Sequence, residues 1–508
     1  MSASSPRHPD GPTTPESATP QAVALPKILG VGDGIAIALS NISPVLSIGI
    51  GLGSIAAAIG VPGLPAVFLL AFPPIAGIAL AYAKLNAHDH NCGAAYAWVG
   101  NVLGPLWGYL IGWIILATNI IFLAYATPLA GDYGLQTLAS FGVDAVANLQ
   151  TGTHQIVGTV VGVVLLAGLA WLATRGVDIC AKYQKVLVII EFSAVAFFCG
   201  LALLAGEKTA FSWSWFSPAA FPSPSVLATG LVLSVYMFWG WEAAFGVTEE
   251  TTDKRTSSRV GFATLLIVLA LFLFASVSIQ RATTPDELVQ HGLTVLPYIG
   301  GNLAGPVGAA VATGVLFLCI VSCIQSVLIG VARQALAMAR DGVLGPTWAK
   351  LHPKRMTPAR GTVIVGLISA ALAFVSLALG TVSTIIIGSV TAVGILVSFY
   401  YALTGIASAV HFFPRAHGNL RTLVAAVIVP LLSAFVLACL GAYLAYVNWN
   451  SADSFAFDAA NGRFLTVLPI AILVLGIPLA LWKKYVRKSP HFRPGNGREQ
   501  ATPPLPTH

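Results

Sequence analysis

Residues 361–414 read GTVIVGLISAALAFVSLALGTVSTIIIGSVTAVGILVSFYYALTGIASAVHFFP, without one Asp, Glu, Lys or Arg. A helical membrane span needs about 20 apolar residues, so this run is long enough for two spans with a turn near 380–382. Residues 101–174 hold no Lys or Arg, and their acids are Asp132 and Asp144. Over the 508 residues, 56% are hydrophobic and 9% are charged, where a soluble globular chain carries roughly 25% charge. Such a composition excludes an ordinary soluble enzyme. It also excludes a disordered protein, which is rich in charge and poor in apolar residues. The sequence specifies an all-α polytopic membrane protein.

Apolar segments bounded by polar or Gly/Pro clusters mark about twelve spans: 30–60, 64–84, 102–130, 154–174, 182–206, 224–247, 260–281, 304–335, 361–379, 383–412, 421–446 and 464–484. Residues 1–26, rich in Pro, Ser, Thr and Ala, form a disordered tail without a signal-peptide core, and the polar residues 486–508 form another. The membrane domain is residues 27–485. With the N-terminus inside, 23 of the 26 Lys and Arg fall on cytoplasmic segments and Lys208, Arg281 and Arg463 on the other side. The positive-inside rule therefore places both termini in the cytosol.

Two spans are interrupted. The first runs Ala38-Leu39-Ser40-Asn41-Ile42-Ser43-Pro44-Val45, then Gly49, Gly51 and Gly53. Pro44 removes a backbone donor and clashes with the preceding turn. The sixth runs Tyr236-Met237-Phe238-Trp239-Gly240-Trp241-Glu242-Ala243. The interruptions lie five spans apart, the signature of two five-helix repeats, about 27–206 and 224–412, with spans 11 and 12 at about 421–484 added. Broken helices persist in lipid only where they are buried in protein or line a cavity, so the two breaks mark a binding site.

Other chemistries find no support. No Gly-Lys dipeptide occurs, which excludes a P-loop, and no His precedes Glu, which excludes the zinc-protease helix. Gly49-Ile50-Gly51-Leu52-Gly53 is followed by Ser54 and follows no strand, so it is a close-packing motif and not a dinucleotide loop. Cys92, Cys180, Cys199, Cys319, Cys323 and Cys439 have no disulfide or metal spacing. Cys319 and Cys323, four apart in an apolar helix, are assigned to packing. The basic residues are scattered over short loops, which argues against nucleic acid. The chain is not expected to be an enzyme or to hold a cofactor or metal.

Several pieces, in order, resemble the amino acid–polyamine–organocation (APC) superfamily of transporters with its LeuT-type inverted repeat. They are Tyr82-Ala83-Lys84-Leu85 with Gly93-Ala94-Ala95-Tyr96; Gly104-Pro105, Gly108 and Gly112-Trp113; Phe238-Trp239-Gly240-Trp241-Glu242 with Glu249-Glu250; and Arg333, Arg340-Asp341-Gly342 and Thr357-Pro358. The resemblance covers roughly residues 27–485. It departs from the family in the first span, where Ser40-Asn41-Ile42-Ser43-Pro44 replaces a Gly-Ser-Gly-like break and Pro44 supplies no amide.

The resemblance implies a substrate held between the two breaks, at Asn41, Ile42, Ser43 and Pro44 and at Phe238, Trp239, Gly240 and Trp241, with the two Trp stacking on the ligand or gating it. It implies a secondary transporter of amino acids in the cell membrane, driven by a proton or sodium gradient through symport or exchange. An amine or polyamine carrier is the second reading, and a non-transporting nutrient sensor the third. Two acids, Glu191 and Glu242, lie at membrane depth, where an ionisable side chain marks function by default; both are assigned to proton coupling. Many relatives carry a Lys where Glu191 stands. Ser322 and Ser326 of the eighth span are the expected partners of Glu191. Arg333, Arg340, Glu249, Glu250 and Asp253 are the expected closing network, set against the bland reading that exposed charge pairs contribute about 0–1 kcal/mol.

Overall fold

The computed structural model describes residues 25–60, 63–147, 149–291, 294–377, 382–450 and 463–493. Among these residues the regular structure is helical, and the β feature is an isolated bridge between Leu29 and Thr251. Among the described residues, eleven helices are long and apolar enough to cross a membrane. The helix Pro224–Met237, shorter at 14 residues, is the sixth in order and makes twelve. The expected N-terminal tail lies outside the described residues up to 24.

The packing carries the internal repeat. The fifth span (Val177–Ala205) packs on the eighth (Val295–Arg340) as the tenth (Val382–Phe412) packs on the third (Pro105–Ser140). The first span (from Val31) packs on the seventh (Thr256–Ala282) as the sixth packs on the second (Leu64–His88). The fifth meets the seventh as the tenth meets the second. Each relation exchanges a span with the one five places away. Because a five-span unit crosses an odd number of times, its copy starts from the opposite side, and the repeat is inverted. The eleventh span (Leu420–Asn450) packs outside the pair, on the tenth and second, and the twelfth (Thr466–Val486) on the third and tenth.

Both interruptions have a local cause. The first helix, Val31–Ile42, ends at Ser43, whose φ of 53° and ψ of 62° are left-handed; Pro44 then begins a new turn at N1, where its missing N–H costs nothing. Residues Ser47–Gly51 continue as π-helix into Leu52–Ile59. In the sixth span, Ser223 caps Val226 N at 3.4 Å and Pro224 takes N1. That helix stops at Met237, Gly240 adopts a φ of 117°, and one further turn, Ala243–Gly246, follows. The eighth span also bends, at Ala304 and Gly305, so its first nine residues form a separate outer segment.

Some boundaries differ from the sequence reading. The third span continues to Ser140 rather than stopping at 130, because Asp132 is taken up by His154 Nε2 at 2.8 Å and by Gln136 Nε2 at 2.9 Å. Close helix contact supports the extension: a Cβ on Gly131 would lie 1.7 Å from Gly158 O. The C-terminal tail does not begin at 486. Pro490–Phe492 forms a 3₁₀ turn, with Ser489 Oγ donating to Gly342 O at 2.7 Å and His491 Nε2 at 2.8 Å from Pro105 O.

Candidate functional site

The breaks of the first and sixth spans meet. Asn41 Nδ2 donates to Gly240 O at 3.1 Å. A Cβ on Gly240 would lie 2.9 Å from both the carbonyl carbon and the oxygen of Asn41, so a side chain at 240 would hold the two breaks apart. The eighth span closes the third side. Ser43 Oγ and Cys319 Sγ lie 2.9 Å apart, and Cys323 Sγ donates to Asn41 O at 3.3 Å.

Two cavities flank this junction. One, of about 80 Å³, lies towards the end of the bundle opposite the basic loops. Asn41, Ile42, Ser43, Tyr125, Tyr236, Trp239 and Cys323 line it, with the aliphatic side chains of Leu46, Leu129, Leu233 and Met237. The other, of about 60 Å³, lies towards the basic end among Tyr82, Asn119, Glu242, Gln334 and Tyr400. Asn41 and Trp239 border both, so the Trp239 indole stands in the partition. Its Nε1 donates to Tyr400 Oη at 2.7 Å.

Not every expected residue faces the cavity. Asn41, Ile42, Ser43 and Trp239 do. Pro44 is buried but does not line it, and Gly240 reaches the site through its backbone. Phe238 is turned into a core cluster with Phe68 and Phe272, at centroid distances of 6.2 and 5.4 Å. Trp241 packs on Tyr82 and Tyr401, at 4.9 and 5.9 Å. Successive residues of a turn point in different directions, so the aromatic pair Trp239 and Trp241 cannot both meet one ligand. Conversely, Tyr125 belongs to the site without any local sequence signal, and Tyr236, Met237 and Cys323 join it although nothing in the sequence fixes which way they point. Cys319 and Cys323 are buried in the main core, as expected, and both also touch the first-span break.

The two deep acids have different surroundings. Glu242 accepts from Tyr400 Oη at 2.6 Å, Tyr401 Oη at 2.7 Å and Gly240 N at 3.0 Å. It braces the sixth-span break against the tenth span. Glu191 is fully buried, and neither of its oxygens has a hydrogen bond of normal geometry. Cys319 and Ser322 face it. Ser322 Oγ, however, donates to Ser40 Oγ at 2.8 Å. Ser326, the other expected partner, donates instead to Ile37 O at 2.7 Å, because a hydroxyl one turn further along the eighth span comes level with an earlier turn of the first. Lys185 lies 2.6 Å from Asp33, which leaves Glu191 without that cation.

At the basic end, Arg333 and Glu250 form a two-pronged pair through Nε to Oε2 and Nη2 to Oε1, both side chains buried. Arg340 reaches Glu249 at 2.8 Å. Burial opposes the charged form of Glu249, but Arg340 and Cys92 together outweigh it and hold the carboxyl below the usual range. Glu249 also accepts from Cys92 N at 2.9 Å. Ile28 N and Leu29 N both donate to Glu250 O at 2.9 Å, so the entry to the first span is tied to the same loop. Asp253 stands apart: it faces Arg259 at 3.6 Å with both side chains more than half exposed.

A model of the amino acid permease family matches residues 33–477, nearly the whole membrane domain. The chain belongs to the amino acid permease family. This places it in the APC superfamily, whose fold is the LeuT-type inverted repeat seen in the packing. This permease is similar to the methylthioribose transporter of Bacillus subtilis (strain 168), at 26% identity over 63% of the chain and 69% of the relative. It is similar to the branched-chain amino acid permease BcaP of the same organism, at 24% over 70% and 76% respectively. It is also similar to the low-affinity putrescine importer PlaP of Escherichia coli (strain K12), at 25% over 60% and 66%. By their names, these relatives carry chemically different small molecules.

Proposed function

We propose that this permease is a secondary carrier moving an amino acid across the cell membrane by alternating access, with a proton as the coupling ion. The observation that carries this reading is the Asn41–Gly240 junction. Two unwound helices meet there, between a cavity towards either end of the bundle, with Trp239 in the partition. Backbone at a helix break can take an ammonium on carbonyls and a carboxylate on amides without any charged side chain. With Pro44 giving no amide, Val45 and Leu46 supply the first ones after the break. Arg333–Glu250 and Arg340–Glu249 close the cytosolic end, and releasing them opens the smaller cavity to that side.

Glu191 carries the coupling in this reading. An anion inside the bilayer without donors is costly, so a proton on Glu191 and its loss change how the fifth, eighth and first spans fit together. Its neighbour Ser322 already bonds Ser40, one residue before Asn41. Glu191→Gln is expected to leave substrate exchange in proteoliposomes intact while removing accumulation driven by an imposed proton gradient and the pH dependence of uptake. Accumulation at the wild-type level by that variant assigns Glu191 a structural role and moves the coupling to Glu242.

Orientation is tested separately. A single Cys at Ser4 or Thr507, in a background without the native Cys, is expected to resist an impermeant maleimide in intact cells. Strong labelling from outside reverses the assignment of both termini to the cytosol.

A further inference from the structure

We infer that the larger cavity selects a zwitterionic amino acid with a neutral, apolar side chain, and rejects diamines and cationic amino acids. The inference rests on the transport reading above and narrows its substrate class.

The argument starts from charge. The cavity is walled by the first, third, sixth, eighth and tenth spans. The tenth contains no charged residue, and the other four contain Asp33, Asp132, Glu242, Arg333 and Arg340. Every one is committed elsewhere, and the buried Glu191 of the fifth span faces Cys319 and Ser322 and does not line the cavity. Asp33 holds Lys185 at 2.6 Å and Asp132 holds His154 at 2.8 Å. Arg333 and Arg340 hold Glu250 and Glu249. Glu242 lies on the far side of the Trp239 partition and already accepts three hydrogen bonds. A substrate's α-ammonium and α-carboxylate can be met by the backbone at the breaks. A second ammonium on its side chain would enter a desolvated space with no carboxylate to meet it, which is strongly unfavourable.

The wall beyond the breaks is what an apolar side chain fits. Leu46, Leu129, Leu233, Met237 and Val390 supply it. Of the hydroxyls at its edge, those of Tyr125 and Tyr236 share one hydrogen bond at 2.6 Å and Ser47 Oγ donates to Ile42 O at 3.3 Å, so few polar groups face the apolar side chains, Thr391 among them. Gly51 limits the space: a Cβ on it would lie 2.9 Å from Met237 Sδ, pushing the thioether towards the cavity. At about 80 Å³, the cavity is smaller than the ~150 Å³ apolar cavity that holds benzene, which favours aliphatic over large aromatic side chains.

The test is counterflow with the purified full chain in proteoliposomes. Parallel sets are loaded with leucine, lysine, putrescine or methylthioribose and given the same compound as external radiolabelled tracer. The expected result is leucine exchange, with lysine and putrescine slower by roughly 10-fold or more. Lysine or putrescine exchange at the leucine rate overturns the inference and leaves the transport reading standing. Methylthioribose exchange without leucine exchange overturns the amino-acid class. No exchange of any compound removes the transport reading and the inference with it. Gly51→Ala then locates the side-chain end: leucine exchange is expected to fall about 10-fold with alanine exchange within about twofold of wild type. Unchanged leucine exchange by that variant overturns the placement of the apolar subsite.

Discussion

Gly240→Leu is expected to abolish substrate exchange while the protein still folds and inserts. Two effects act at this position. The φ of 117° lies where L side chains are strained, a cost of roughly 1–3 kcal/mol. The added Cβ would also stand 2.8 Å from Asn41 Nδ2 and 2.9 Å from the Asn41 carbonyl carbon and oxygen. Backbone is not a flexible side-chain end and cannot rotate aside. The first and sixth spans must therefore separate at the point where their breaks meet, and the Asn41 Nδ2 to Gly240 O bond is lost with that separation. Gly240→Ala carries the same first contact with less bulk and is expected to fall between wild type and Leu. The measurement is counterflow of radiolabelled leucine, with size-exclusion profiles of the detergent-extracted protein confirming folding. Normal exchange by Gly240→Leu removes the sixth-span break from the binding site.

The second large effect is expected at Glu250. Arg333 and Glu250 have side-chain exposures of 4% and 1%. Removing one partner of a buried pair leaves the other charge uncompensated, which typically costs about 3–5 kcal/mol. Glu250→Ala is expected to lower thermal stability in detergent by an amount in that range. Arg333→Leu alone is expected to do the same. The double variant should recover much of the loss, because two apolar groups replace a pair that had itself been costly to desolvate. The cycle thus reads a coupling energy in place of a single-site loss. The recovered double variant is also expected to show a raised leak of substrate, since the tie between the eighth span and the loop after the sixth is gone. A cost below about 1 kcal/mol for either single change would class this pair with exposed ones. Asp253–Arg259, more than half exposed on both sides, is the comparison within the same protein.

The architecture was legible in the chain itself because lipid imposes a strict rule. Each crossing needs its own apolar run, so residues 361–414 reveal two spans by composition alone. Ser43-Pro44 and Gly240 mark the breaks for equally local reasons: a missing amide in one case and a missing Cβ in the other. The same holds for the basic end, since Lys and Arg accumulate in the loops of one side. Identity of the breaks, the repeat and the family motifs all follow from residues read in order along the chain.

Direction and partnership were not written locally. Phe238 and Trp241 share a motif with Trp239, yet only the folded turn shows that Trp239 alone faces the cavity while the others enter aromatic clusters. Ser322 and Ser326 lie one turn apart, and the register of the eighth span against the first turns Ser326 to Ile37 O while Ser322 faces Glu191 and donates to Ser40. Glu191 and Glu242 look alike in sequence as acids in apolar helices. Packing gives Glu242 two tyrosines from the tenth span and gives Glu191 no hydrogen bond of normal geometry. Span number and the positions of the breaks are thus readable along the chain, because hydropathy and backbone chemistry act within one segment. Which side chains meet at those breaks is set by the packed bundle, because helix rotation and register depend on contacts between residues hundreds of positions apart.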